Sequence, residues 1–166
     1  MLQAQQLNIQ ATLALNLGQP DRAYQLWQQA ETQYHALQDQ FGIQLSQLNQ
    51  AQALQNLGHY RQARTQLERL QQSLNPNSAP LLQAKTLLSL GTTLQMLGEL
   101  DLAETRLTQS QTIAQTLPQP TIQAEILLQL AQLASTQDAD QAQPIDRASS
   151  AISKRRPSAL HPQSKP

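Results

Sequence analysis

The 166 residues contain no cysteine and no valine, one tryptophan, one phenylalanine and three tyrosines. Without cysteine there is no disulfide framework, no thiolate metal site and no cysteine nucleophile. Without valine, and with seven isoleucines, a β-sandwich or a parallel sheet would lack its usual strand residues. Charged side chains make up only 13% of the chain, eleven basic against eleven acidic. Zero net charge argues against nucleic acid as a partner of the chain body, because such binders are usually basic. No apolar run approaches the roughly 20 residues that cross a bilayer. The start, Met1-Leu2-Gln3-Ala4-Gln5-Gln6, lacks the positive region and apolar core of a signal peptide. The expectation is a cytoplasmic chain with no membrane partner.

What is present is leucine, alanine and glutamine, at 30, 21 and 33 residues, about half the chain. All three are good helix formers. They also recur with a long period. Leu17-Gly18, Leu57-Gly58 and Leu97-Gly98 stand 40 residues apart. Ala23, Ala63 and Ala103 follow at one fixed distance, and Trp27, Leu67 and Leu107 at another. Ahead of each glycine lies a small residue, Ala11, Ala51 and Gly91, with Ala131 next in phase. Several columns in one phase define an internal repeat.

Each repeat reads as two helices. Leu7, Ala11, Ala14 and Leu17 form one stripe at helical spacing, and Leu87, Gly91, Leu94 and Leu97 form its counterpart. Glycine then ends the helix, because it accepts a left-handed backbone at little cost. The second helix carries Ala23, Trp27, Ala30 and Tyr34. The pattern predicts seven helices near 2–17, 20–38, 43–57, 60–74, 79–97, 100–116 and 121–135. Pro20 fits a first helical turn, where its missing N–H costs nothing. Asn75-Pro76-Asn77-Ser78 breaks the chain and offers Asn77 or Ser78 as a helix cap.

Leu90-Gly91-x-x-Leu94, then Gly98 and Ala103-x-x-x-Leu107, resembles the tetratricopeptide repeat. So does Gly58-x-Tyr60-x-x-Ala63-x-x-x-Leu67, and Gly18 with Ala23-x-x-x-Trp27. The resemblance covers residues 1–136: repeats near 1–40, 41–80 and 81–120, and a half repeat at 121–136. It implies an all-α, right-handed solenoid of antiparallel helix pairs. The period exceeds the family's usual 34 residues, and the longer, Gln-rich form is similar to arrays that precede CHAT protease domains in bacterial proteins. The catalytic cysteine of such a domain has no counterpart here.

The pattern fails after the seventh helix. Asp138 and Gln143 stand where phase calls for Gly and Ala, and Pro144 falls inside the expected second helix. Residues 137–166 read as a Pro-rich basic tail without structure. Arg147, Lys154, Arg155, Arg156 and Lys165 give its last 20 residues a charge of +5, against −5 for residues 1–146. The tail reads as solvated chain, with an anionic contact at Lys154-Arg155-Arg156 as the functional alternative. The last helix would expose an apolar side, open to self-association.

Nothing in the chain assembles an enzyme. His35, His59 and His161 are scattered, with no metal-ligand spacing, and no Gly-rich phosphate loop occurs. No cofactor is expected. Trp27 shares a column with two leucines and reads as core. What remains is surface recognition. In arrays of the family this chain resembles, the first helix of each pair lines a groove. Phase then gives as candidates Asn8, Leu48, Leu88 and Leu128; Thr12, Gln52, Thr92 and Gln132; Asn16, Asn56 and Met96; and Gln95. Lys85 is the basic residue placed near them. Amides both donate and accept hydrogen bonds and suit a polypeptide backbone. The expected function is a protein-interaction scaffold whose partner is another protein or peptide. The alternative is a truncated or regulatory repeat segment of a larger CHAT-type protease or signalling protein.

Overall fold

The computed structural model describes residues 2–75 and 79–153, with side chains as far as Asp138. These residues form seven helices and, among the described residues, no strand: α1 (Leu2–Asn16), α2 (Pro20–Ala36), α3 (Gln40–Asn56), α4 (Tyr60–Ser73), α5 (Pro80–Met96), α6 (Leu100–Ala114) and α7 (Pro120–Ser153). From α1 to α6 each helix packs on the next, as in a helical-repeat solenoid, where one pair cannot bury its apolar face alone. The chain divides into a unit of residues 1–133 and a unit of residues 134–166. The first holds α1 to α6 and the start of α7; the described part of the second is helical through Ser153.

The glycine phase is a phase of helix stops. Gly18, Gly58 and Gly98 take φ of +71°, +74° and +78°. After each, an amide reaches back to the helix just ended: Gln19 N–H to Ala14 O at 2.9 Å, His59 to Leu54 at 2.8 Å and Glu99 to Leu94 at 3.0 Å. These bonds satisfy carbonyls that a helix end leaves open. The same geometry recurs once without glycine. Gln38 sits at φ +56°, with Asp39 N–H donating to Tyr34 O at 3.0 Å. Pro20 and Pro80 occupy first-turn positions of α2 and α5.

Two boundaries differ from the sequence expectation. α3 begins at Gln40 rather than 43, because the Asp39 carboxylate caps it, accepting from Gly42 N–H at 3.0 Å. α7 does not end near 135. Its backbone is helical to Ser153, through Pro144, where the sequence suggested a structureless tail from 137. Asp138 replaces the phased glycine, so the left-handed stop is missing and the Ala- and Gln-rich stretch stays helical. The Asn77 or Ser78 cap and the Lys154-Arg155-Arg156 cluster lie outside the described residues. The residue ahead of α5 is Ala79, which offers no side-chain cap.

Within each pair a large side chain fills the space above a small one. Ala11 shares a buried cluster with Trp27, and Ala51 with Leu67. A Cβ on Gly91 would stand 2.7 Å from Leu107 Cγ, so α5 and α6 approach more closely than any larger residue permits. Gly42 lies in the same way under the ring of Tyr34. Trp27 is 2% exposed, as its column suggested.

Polar clamps join successive pairs. Glu31 on α2 accepts from Gln47 Nε2 at 2.7 Å and Gln50 Nε2 at 2.6 Å on α3. Gln66 on α4 donates to Gln47 O at 2.7 Å. Arg64 donates to Glu68 at 2.8 Å and to Glu99, ahead of α6, at 2.6 Å. Hydrogen bonding to Glu68 is the main cause that raises its guanidinium above the ordinary value.

Candidate functional site

The first helices of successive pairs, α3, α5 and the start of α7, together line an open groove of about 300 Å³. Its lining follows the 40-residue phase. One column is Leu45, Lys85 and Glu125; a second is Asn49, Ser89 and Gln129. Leu48 and Leu88 form an apolar floor, each 6% exposed. Gln52 and Thr92 complete the rim, with Gln55 between α3 and α5.

Gln55 fixes the width of the groove. Its Nε2 donates to Ser89 O at 2.9 Å and to Thr93 Oγ1 at 2.7 Å. Ser89 Oγ donates back to Gln55 Oε1 at 3.3 Å. An amide bonded at both ends holds α3 to α5 with little freedom. Asn49, Gln52 and Gln129, by contrast, make no side-chain hydrogen bond among the described residues, so their donors and acceptors face the groove unmatched. Thr92 Oγ1 donates to its own helix, at Leu88 O, 3.0 Å. Lys85 and Glu125 put one charge of each sign on the wall, and both are exposed.

Of the candidates read from the sequence, Leu48, Gln52, Lys85, Leu88 and Thr92 line this groove. The others do not. Asn8 is half-buried, with Nδ2 donating to Tyr34 Oη on α2 at 3.3 Å. Thr12 Oγ1 donates to Asn8 O at 3.0 Å, and Asn56 Nδ2 to Gln52 O at 2.8 Å. Asn16, Met96, Leu128 and Gln132 are exposed and Gln95 is half-buried, all away from the groove lining. Leu45 and Glu125, on either side of Lys85 in phase, the column Asn49, Ser89 and Gln129, and Gln55 also line the groove and are not among the sequence candidates. The signal was available: both columns lie at the same spacing as the glycines, one turn from the residues chosen.

A larger cleft, about 730 Å³, lies between α2 and α4 over α3. Its floor is the Glu31, Gln47, Gln50 and Gln66 clamp, whose amides are already bonded to one another. The α3/α5/α7 groove is the smaller of the two, and its unbonded amides are neutral, whereas the unbonded side chains of the larger cleft include Arg61 and Arg69. His35 and His59 are exposed. Among the described residues no three His, Cys, Asp or Glu side chains gather to hold a metal ion, and no helix is long and apolar enough to cross a membrane.

The fold and groove define a helical-repeat protein with an amide-lined channel across its first helices. The chain matches no protein-family model and no curated protein.

Proposed function

We propose that this chain is a protein-interaction scaffold, built like a tetratricopeptide array, that binds another polypeptide in the α3/α5/α7 groove. One observation carries the reading: Asn49 and Gln52 on α3 and Gln129 on α7, the first and last of them in one phase column, stand unbonded beside the Leu48 and Leu88 floor. A bound peptide leaves backbone N–H and C=O groups that need partners once water is displaced. Primary amides supply both kinds, and the leucines take an apolar side chain between them. With one cation and one anion on the wall, the groove favours a near-neutral segment over a strongly charged one. A chain without cysteine needs no oxidising compartment, which suits a cytoplasmic scaffold.

The test is a random peptide library displayed on phage and panned against the full chain. Near-neutral peptides should be enriched, and their binding should fall at least tenfold on Gln52→Glu or Gln129→Glu while Thr12→Glu leaves it unchanged. Enriched peptides that bind all three variants equally would overturn the groove as the site.

A further inference from the structure

The larger cleft, between α2 and α4, differs from the groove in charge. Among the side chains described, five are arginines, and three of these are engaged. Arg64 holds Glu68 at 2.8 Å and Glu99 at 2.6 Å. Arg106 Nη1 donates to Gln109 Oε1 at 3.1 Å, and Arg22 Nη1 to Gln19 Oε1 at 3.4 Å. Arg61 and Arg69 are exposed and make no ion pair or side-chain hydrogen bond among the described residues, and both line this one cleft. The acids around them are already taken. Glu31, which lines the cleft, accepts one amide on each oxygen, from Gln47 and Gln50. Glu68 and Glu99, which share a smaller pocket with Arg61, are the carboxylates that Arg64 holds.

The two free arginines stand in a row. Arg61, Thr65 and Arg69 are spaced by four on α4 and so share one face. Their ends are about 12 Å apart along the helix. Each guanidinium is a planar fork that pairs with a carboxylate through two parallel hydrogen bonds. The buried side chains of Leu54 and Leu70 give the cleft an apolar floor. The Gln62 amide and the Tyr24 hydroxyl also line it and make no hydrogen bond among the described residues.

We propose that this cleft is a second binding site, for an acidic polypeptide segment lying extended along α4. In an extended chain, residues four apart point the same way and stand about 13 Å from each other. That matches the row from Arg61 to Arg69, and it sets the residue midway between them over the leucine floor. The segment that fits is Glu-x-Leu-x-Glu, its outer carboxylates on the two arginines. A peptide is selected over nucleic acid because residues 1–146 carry a net charge of −5. That field repels a polyanion, whereas two carboxylates meet only the local pair. The cleft and the α3/α5/α7 groove share no lining residue, so the two sites stand or fall separately.

The test is fluorescence anisotropy of two labelled serine–alanine decapeptides, one carrying Glu-x-Leu-x-Glu and one Gln-x-Leu-x-Gln, titrated with the full chain to about 1 mM. At low salt the glutamate peptide should bind at least fivefold more tightly. Arg61→Gln and Arg69→Gln should each weaken it at least threefold, and together they should erase its advantage over the glutamine peptide. Both sites are exposed, so urea melts of these variants should match the parent chain. Arg106→Gln and the groove variant Gln129→Glu should leave the binding unchanged. Equal binding of the two peptides, or none by the top of the range, overturns the proposal. So does an advantage that survives the double variant, or that Arg106→Gln reduces as much as Arg69→Gln does. A twelve-residue oligothymidylate that binds through Arg61 and Arg69 more tightly than the glutamate peptide would overturn it in favour of nucleic acid.

Discussion

In the α1–α2 pair the first helix buries only alanines, Ala4, Ala11 and Ala14, and the large buried groups are Trp27 and Tyr34 on the second. In the α5–α6 pair the first helix buries Leu82, Leu87, Leu88, Leu90 and Leu94. The consequence reaches the core as a whole. One cluster runs from Leu48 through Leu107 to Leu133, whereas the first pair contributes two small separate clusters. Among the described residues, the three buried polar atoms without a partner, Asn8 Oδ1, Trp27 Nε1 and Ser46 Oγ, lie in α1, α2 or α3, which packs on α2. The same repeat template thus supports tight apolar packing in the middle and loose, partly unmatched packing at the start. Burial of leucine contributes more than burial of alanine, and an unpaired buried group costs about 1–3 kcal/mol. A repeat array tolerates the difference because each pair answers only to its neighbours.

The largest expected effect falls on the well-packed pair. Leu107→Ala should lower unfolding free energy by about 3 kcal/mol in urea melts, through a cavity that Gly91 on the facing helix cannot close. A loss under about 1 kcal/mol would mean that α5 and α6 are packed no better than α1 and α2. Next comes local opening. There, α1 amides should exchange at least about tenfold faster than those of α5; equal protection would erase the comparison. The smallest effect concerns the exit from the first pair. Gln38 holds a left-handed backbone that Gly18, Gly58 and Gly98 hold without strain, so Gln38→Gly should stabilise the chain by about 0.5 kcal/mol. A measurable loss would show that the Gln38 side chain contributes something the backbone angle does not reveal.

Much of this was legible from residue spacing. Glycine phase located the turns and set Ala11, Ala51 and Gly91 in one column of small residues and Trp27, Leu67 and Leu107 in one of large residues; that each small residue lies under the large one of its own pair is seen in the packing. Helix starts were legible where proline marked them and not where Asp39 did, since a carboxylate in a polar stretch gives no periodic signal. The groove was half legible. Leu48, Gln52, Lys85, Leu88 and Thr92 were read from phase, but the α1 candidates were not separable from them. Asn8 sits in the same column as Leu48 and Leu88, and only packing shows it turned to Tyr34.

By itself, then, the sequence determined the helical class, the 40-residue period and the pairing of small with large residues, because these depend on local propensity and on spacing along one chain. Tertiary structure alone decided which copies of each column face a groove, which amides are already bonded, and which apolar residues of α1 lie exposed, Leu2, Ile9 and Leu13, rather than against the core, Leu7 and Leu15. Those outcomes depend on what lies across from a residue. Identical positions in phase meet different neighbours at the first pair and in the middle of the stack.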